Sequence, residues 1–270
     1  MTLIDLCADV GMGSVVSNSP QVQRLYERAK AEQWALDKDI DWKAIELSGL
    51  PVPIKRALSS IYTQVQAGEV LALAMTARAV DAAPALWAKM FGATQLMDEA
   101  RHVEFFGRVV AMLGEPKALT PPMLALIEEL GDLRSMDEIL LGTQIILEGY
   151  AQCLFLEGAR LCSRARERRI RLPGAVDPGP LLFAVSHFVG RDESRHLAFG
   201  VLYLRQRWAD LGANDRSRLQ DLGHRFSALL EAVIGETRSE LSRVGLDSAE
   251  LVARVRRTQT AHFARIGFDT

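Results

Sequence analysis

The feature that most constrains this chain is a pentamer that occurs twice. Asp98-Glu99-Ala100-Arg101-His102 and Asp192-Glu193-Ser194-Arg195-His196 both read D-E-x-R-H, 94 residues apart. The whole sequence holds only five His, and chance would supply roughly one third of an E-x-x-H match. Positions i and i+3 share one face of a helix, so each segment aims a carboxylate and an imidazole at the same spot. That face is otherwise apolar: Leu96, Val103, Phe106 and Val110 surround Glu99, and Val189, Leu197, Gly200 and Leu204 surround Glu193. A carboxylate buried without a partner is very costly, so both helices must meet a counter-charge inside a core.

The rest of the chain supplies the helices for such a core. Residues 1–20 carry Gly11, Gly13, Ser14, Ser17, Asn18, Ser19 and Pro20 and read as a flexible N-terminal arm. Helix breakers then cluster at Gly49 to Pro53, Ala83-Pro84, Gly114 to Pro116, Thr120 to Pro122 and Leu172 to Pro180. Between them lie stretches rich in Ala, Leu, Glu, Arg and Met, good helix formers, with little β-branched alternation. The spacing predicts peripheral helices over 20–36 and 41–48 and four long helices over 53–81, 85–113, 135–168 and 179–208. A short helix over 122–131 and two C-terminal helices over 214–244 and 247–265 complete the set. Helices of about 28 residues are about 40 Å long, the scale of a four-helix bundle. The expected fold is all-α, one domain over 21–270 with a metal-binding core over about 53–208.

The other two long helices each carry one acid in an apolar centre, Glu69 and Glu148. The sum is four carboxylates and two imidazoles, which balances two divalent cations. One Glu from each of two helices plus Glu-x-x-His from each of the other two is the ligand set of di-iron and di-manganese sites in bundle cores. Oxygen and nitrogen donors suit iron or manganese, and no thiolate set for structural zinc is present. A surface Glu–His pair, or a core acid bonded to a neighbouring helix, explains any one of these residues. Explaining Glu69, Glu99, His102, Glu148, Glu193 and His196 that way takes a separate reason for each. A metal-bound His usually donates its other ring N–H to a carboxylate. Across the pseudo-twofold, Asp98 is placed to serve His196 and Asp192 to serve His102; the alternative is an exposed acid beside a helix Arg. His187 reads as structural, and His224 and His262 as surface or packing residues.

Composition narrows the partners. Apolar residues make up 49% of the chain, enough for a sizeable core, and the net charge of −2 with a pI of about 6.2 gives no basic stripe for nucleic acid. The run Arg164 to Arg171 reads as a solvated helix end, with a docking patch for an acidic partner as the alternative. Cys7, Cys153 and Cys162 form no C-x-x-C pair, and the first residues lack a basic, apolar leader. Both suit a reducing cytoplasm. No run of about 18 apolar residues is read, so no membrane span is expected.

At these residues the sequence resembles the ferritin-like di-iron carboxylate superfamily, in particular the branch of the ribonucleotide reductase small subunit and the bacterial multicomponent monooxygenase hydroxylases. Arg191-Asp192-Glu193-x-x-His196 looks like the second metal motif of that branch, and Leu147-Glu148 with the apolar run after it resembles its third helix. The resemblance covers roughly residues 53–208. It implies two iron ions, or a manganese–iron pair, and an oxygenase or oxidase that uses dioxygen on a small organic substrate. A reductase or ferredoxin as electron donor and a homodimer are further expectations. An iron-handling ferroxidase, a manganese/iron ligand-binding oxidase and a non-catalytic scaffold that kept the metal are the alternatives.

Departures from the relatives are as informative as the matches. The radical-bearing reductase subunit has Tyr where this chain has Phe106, which argues against nucleotide reduction. The monooxygenase hydroxylases have Thr at the place of Gln152. The arylamine N-oxygenases have an additional His at the place of Val189. The ligand-binding oxidases have Tyr at the place of Thr143. Helical spacing from the ligands makes Tyr62, Phe106, Gln152 and Phe155 candidate cavity walls, with plain core packing as the alternative. Among them Gln152 is the candidate to orient a water or an oxygen species.

Overall fold

Helix termini fall where the sequence places its breakers and caps. The computed structural model describes residues 19–167 and 177–268, and among these there is no strand. Helix α1 (Pro20–Ala31) starts with Pro in its first turn, and the Ser19 hydroxyl accepts from the Val22 N–H. After α2 (Leu36–Asp39) come the long helices α3 (Val52–Ala82) and α4 (Leu86–Leu113). Pro51 precedes α3, and Gly114, at φ 118°, ends α4 in a conformation that favours glycine. Thr120 caps α5 (Pro121–Gly131), and a Ser135–Glu138 capping box opens α6 (Met136–Leu140).

The third long helix is not regular. From α6 it passes into a π-helical stretch, Leu141–Glu148, and then into α7 (Gly149–Glu167). The fourth repeats the device: α8 (Gly179–Ala184), a π-helical stretch Val185–Val189, then α9 (Gly190–Asp210). The first π stretch ends on Glu148, and the second ends three residues before Asp192 of the second pentamer. π-helical turns are rare and concentrate at functional sites. Helices α10 (Ala213–Glu236), α11 (Arg238–Arg243) and α12 (Ser248–Ile266) follow.

Helices α3 and α4 make the most extensive pair, and α9 packs on the Leu141–Glu148 stretch to complete the bundle. Phe91 of α4 stacks on Phe199 of α9 with centroids 4.0 Å apart. Helix α10 covers α5 and the π stretch, α12 covers α7 and α9, and α11 lies on α3.

Three expectations need correction. The first helix stops at Ala31, where Gln33 and Trp34 leave the helical path to bond buried groups of α4 and α9. Residues 41–48 form turns, in which the Asp41 and Glu46 carboxylates accept from the Ala44 and Ser48 N–H groups in place of helical partners. The helix expected over 214–244 breaks at Thr237, whose hydroxyl bonds back to the Val233 carbonyl. By length and composition Met136–Ser163 is apolar enough to cross a membrane, but 78% of its apolar stretch is buried in the bundle, the environment of a core helix. Residues 1–18 of the expected arm and the side chains of Arg164 to Arg171 lie outside the described residues.

Candidate metal centre

Six side chains from the four long helices converge on one buried point. Glu69 comes from α3, Glu99 and His102 from α4, Glu148 from the end of the π stretch, and Glu193 and His196 from α9. Glu69, Glu99, His102 and Glu193 bring one donor atom each within 4.8 Å of one another, and so do Glu99, Glu148 and His196. His102 Nδ1 lies 3.4 Å from Glu69 Oε2, 3.4 Å from Glu99 Oε2 and 3.2 Å from Glu193 Oε1. His196 Nδ1 lies 3.3 Å from Glu99 Oε1, 3.5 Å from Glu148 Oε2 and 3.5 Å from Glu193 Oε2. Glu99 and Glu193 thus offer one oxygen to each imidazole, while Glu69 and Glu148 each serve one side.

The inward atoms have no hydrogen-bond partner. Glu99 Oε2, His102 Nδ1, Glu148 Oε2, both oxygens of Glu193 and His196 Nδ1 are buried and unsatisfied. Such orphans are rare in folded proteins, and here they cluster on one point. A pair of divalent cations satisfies their lone pairs and balances four carboxylates, so the residues fit a two-metal group.

The outward faces of the imidazoles meet a closed ionic box. His196 Nε2 is 3.1 Å from Asp98 Oδ2, and His102 Nε2 is 3.4 Å from Asp192 Oδ2. The pairing is crossed: each Asp serves the His of the other pentamer. Arg195, 1% exposed, donates to Asp192 Oδ1 at 2.6 Å and to Asp98 Oδ2 at 3.1 Å. Arg101 pairs closely with Asp98 and lies 3.5 Å from Asp192. The indole N–H of Trp34 donates to Asp192 Oδ2 at 2.7 Å, and the Arg101 guanidinium lies 5.0 Å from the Trp34 ring.

Charge and burial set the protonation of the metal-free cluster. Burial pushes Glu69 up to about 8, and burial together with the Glu193 charge lifts Glu148 well above the carboxylate range. Burial alone would lower both imidazoles. The carboxylates around them outweigh it and hold His102 and His196 well above their ordinary value. Burial would likewise raise Glu193, but the two imidazoles beside it hold it down at about 2. Asp192 resists burial in the same way, through His102, Arg195 and Trp34, and stays below the ordinary range.

Two cavities bear on the site. A small one of about 30 Å³ touches Glu69, Glu148 and Glu193 and is lined by Val65, Ala72, Met123, Leu147 and Ala151, among others. A larger one of about 320 Å³ is lined mainly by Leu and Ile side chains, with Tyr62 and Phe155 in its wall. Phe106, fully buried, stacks on Tyr62 at 5.8 Å and on Phe155 at 5.9 Å, between the large cavity and the His102 turn of α4.

The structure does not bring Gln152 to the cluster. Its amide donates to Ser194 Oγ at 3.2 Å in the groove between α7 and α9. Beyond the π stretch, Tyr150 and Ala151 are the α7 residues that line the small cavity. His187 stacks on Phe183 at the surface, 4.9 Å between centroids. Reasoning from sequence missed Trp34 and Arg195's reach, and it missed Gln95 and Gln144. Gln95 donates to Glu99 Oε1 at 3.0 Å and to Glu148 Oε1 at 3.1 Å, and accepts from Gln144 at 2.6 Å. Both Gln residues precede a cluster Glu by four positions, a repeat that was available to read. Trp34 left no comparable signal.

Bundle and cluster together give a ferritin-like helical fold with a buried carboxylate–histidine cluster at its centre. No family model and no curated protein matches the sequence. Solved structures do match in fold. The chain is similar to an R2-like ligand-binding oxidase variant with an anaerobically reconstituted Mn/Fe cofactor, at TM-score 0.70 and 20% identity over 93% of this chain and 95% of that one. It is also similar to a protein from Synechococcus with aldehyde deformylating oxidase activity, at TM-score 0.62 and 18% identity over 83% and 95%.

Proposed function

We propose that this protein is a dioxygen-dependent oxidoreductase that holds two metal ions, two iron or a manganese–iron pair, on Glu69, Glu99, His102, Glu148, Glu193 and His196. The observation that carries the reading is the cluster of orphaned, inward-facing donor atoms beside a small apolar cavity. When bound, such metals supply electrons and open coordination positions for reducing dioxygen. The protein supplies the geometry. Asp98 and Asp192 keep the proton on Nε2 of each imidazole, which leaves the Nδ1 lone pair pointing inward. Val65, Ala72, Leu147 and Ala151 keep water from the carboxylate side. The large apolar cavity suits an organic substrate with little polarity, and the Tyr62–Phe106–Phe155 stack stands between it and the cluster.

The similar structures support this reading by their descriptions, an Mn/Fe ligand-binding oxidase and an aldehyde deformylating oxidase. An iron-handling protein needs a carboxylate-lined path for its cargo, whereas the small cavity meets carboxylates only at the cluster itself and the large one is lined by none. Turnover draws electrons from a reductase or ferredoxin, or from the substrate. The test is metal content and oxygen uptake after anaerobic loading with ferrous iron. Two ions per chain and oxygen consumption are expected, with about one ion in Glu69→Ala or Glu148→Ala. Two ions retained in both variants breaks the ligand assignment, and no oxygen uptake by the loaded protein sinks the oxidoreductase reading.

A further inference from the structure

The internal symmetry of the site fails at one pair of positions. Asp98, Glu99, Arg101 and His102 correspond to Asp192, Glu193, Arg195 and His196. Four residues before each Glu stand Gln95 and Val189. Val189 is fully buried and apolar. Gln95 is 2% exposed and spends both N–H bonds of its amide on carboxylates, Glu99 Oε1 and Glu148 Oε1. The orientation follows from the neighbours: a flipped amide would set its carbonyl against two carboxylates and its NH₂ against the NH₂ of Gln144.

Gln144 is itself locked. It lies in the π stretch, 1% exposed, and donates to Gln95 Oε1 at 2.6 Å. The space it occupies exists because residue 200 is glycine. A Cβ there would stand 2.5 Å from Gln144 Oε1 and 3.1 Å from Gln144 Cβ. The opposite side of the cluster has no such clamp. Among the described residues Glu69 has His102 as its polar neighbour, at 3.4 Å, and it borders the small cavity.

We propose that Gln95, held by Gln144 in the space left by Gly200, is a positioning residue that makes the two metal positions unequal. It fixes Glu99 and Glu148 in place, so the position beside His196 fills first. It also commits Glu148 Oε1 to an amide and leaves Oε2 as that residue's donor, whereas Glu69 keeps both oxygens and room to turn. Preset donors bind more tightly because less ordering remains to be done on binding. The inference rests on the ligand set proposed above.

Anaerobic titration of the full-length, chelator-stripped protein with divalent cobalt, followed by its visible absorption, tests it. Wild type is expected to take two ions in two steps separated by about tenfold or more, the scale on which partners of metal ligands act. Glu148→Ala should lose the tight step and Glu69→Ala the weak one. Gln95→Leu should still take two ions, with the steps drawn together to within about threefold. Gln144→Leu leaves Gln95 in place but unpinned and should move the steps the same way by a smaller factor, which keeps the test alive if Gln95→Leu does not fold. Steps of unchanged separation in both Gln variants overturn the proposal, as does a tight step lost in Glu69→Ala rather than Glu148→Ala. Failure of wild type to bind two ions overturns the metal-centre reading itself; two ions in equal steps overturn only the role of Gln95.

Discussion

Replacing Arg195 with leucine should destabilise the protein by about 3–5 kcal/mol, the cost of leaving a buried charge without its partner. The magnitude follows from the ionic box. Asp98 and Asp192 are fully buried, and two guanidinium groups, Arg101 and Arg195, neutralise them. Removing Arg195 leaves the two buried Asp carboxylates with Arg101 as their one guanidinium. Its third partner, Glu32 at 3.0 Å, is partly exposed and adds little. In a chain somewhat larger than 250 residues, each kcal/mol moves the melting temperature by about 2–4 °C, so a drop of roughly 6–20 °C is expected from the same buried-pair figure. Urea unfolding and calorimetry on wild type, Arg195→Leu and Arg195→Lys measure it. Lysine restores the charge without the planar fork that spans two carboxylates and should fall between the other two. An Arg195→Leu variant within about 1 kcal/mol of wild type would refute the argument, because it would show that the box is not held by its charge balance. So would a lysine variant as unstable as the leucine one.

Two further outcomes follow from the same geometry. In chelator-stripped protein, Glu69 and Glu148 keep protons that the unfolded chain releases near 4.5, and His102 and His196 keep protons that it releases near 6.5. The folded state therefore binds more protons than the unfolded one between about pH 5 and 8, and stability must fall as pH rises through that window. Glu193 and Asp192 act in the opposite sense, but only below about 4.5, outside it. A urea midpoint that rises from pH 5.5 to 8 would contradict this. Separately, Gly142→Ala should destabilise by about 1–3 kcal/mol through overpacking, since a Cβ there would sit 2.2 Å from Leu130 Cδ2 and 3.3 Å from Phe226 Cε2. Combining it with Leu130→Ala should cost less than the sum of the two; strict additivity in the double-mutant cycle would show that the two positions do not touch.

Much of the bundle was legible because its helices are punctuated in the sequence. Proline and glycine mark the ends of α3, α4 and α5, and the acids at 69, 99, 148 and 193 announce themselves by interrupting apolar faces. The crossed pairing of the two Asp residues was legible for the same reason, since the pentamer repeats. What escaped reading has a physical cause. Hydrophobic periodicity hardly separates an α turn from a π turn, so the stretches at Leu141–Glu148 and Val185–Val189 leave no mark in the pattern. Spacing from Glu148 made Gln152 a candidate cavity wall, but its amide turns to Ser194 of α9, a tertiary contact that spacing does not see. Segment 32–35 is governed by contacts more than 60 residues away, to Asp98, Arg101 and Asp192, and local pattern does not see them.

The site has two unlike faces, and this decides how anything reaches it. On the imidazole side, Asp98, Asp192, Arg101 and Arg195 form a box that Trp34 and Glu32 close from the N-terminal segment. In this box every carboxylate already meets a guanidinium, and the groups left unmet are the Nε–H donors of Arg101 and Arg195 rather than metal-binding atoms. On the carboxylate side, Glu69, Glu148 and Glu193 border an apolar cavity under α10, through Leu230 and Val233. On the proposed function, dioxygen, small and apolar, would partition into that cavity rather than into the box. On the same proposal Glu69, the carboxylate without an amide clamp, is the ligand that would shift to admit it, since it borders that cavity. The repeated pentamer thus makes the two halves alike in their donors, while Gln95 on one side and the open cavity by Glu69 on the other make them unlike in freedom. A two-metal site of the kind proposed would have to bind firmly and still open a coordination position, and the residues suited to the two tasks lie on different helices of this chain.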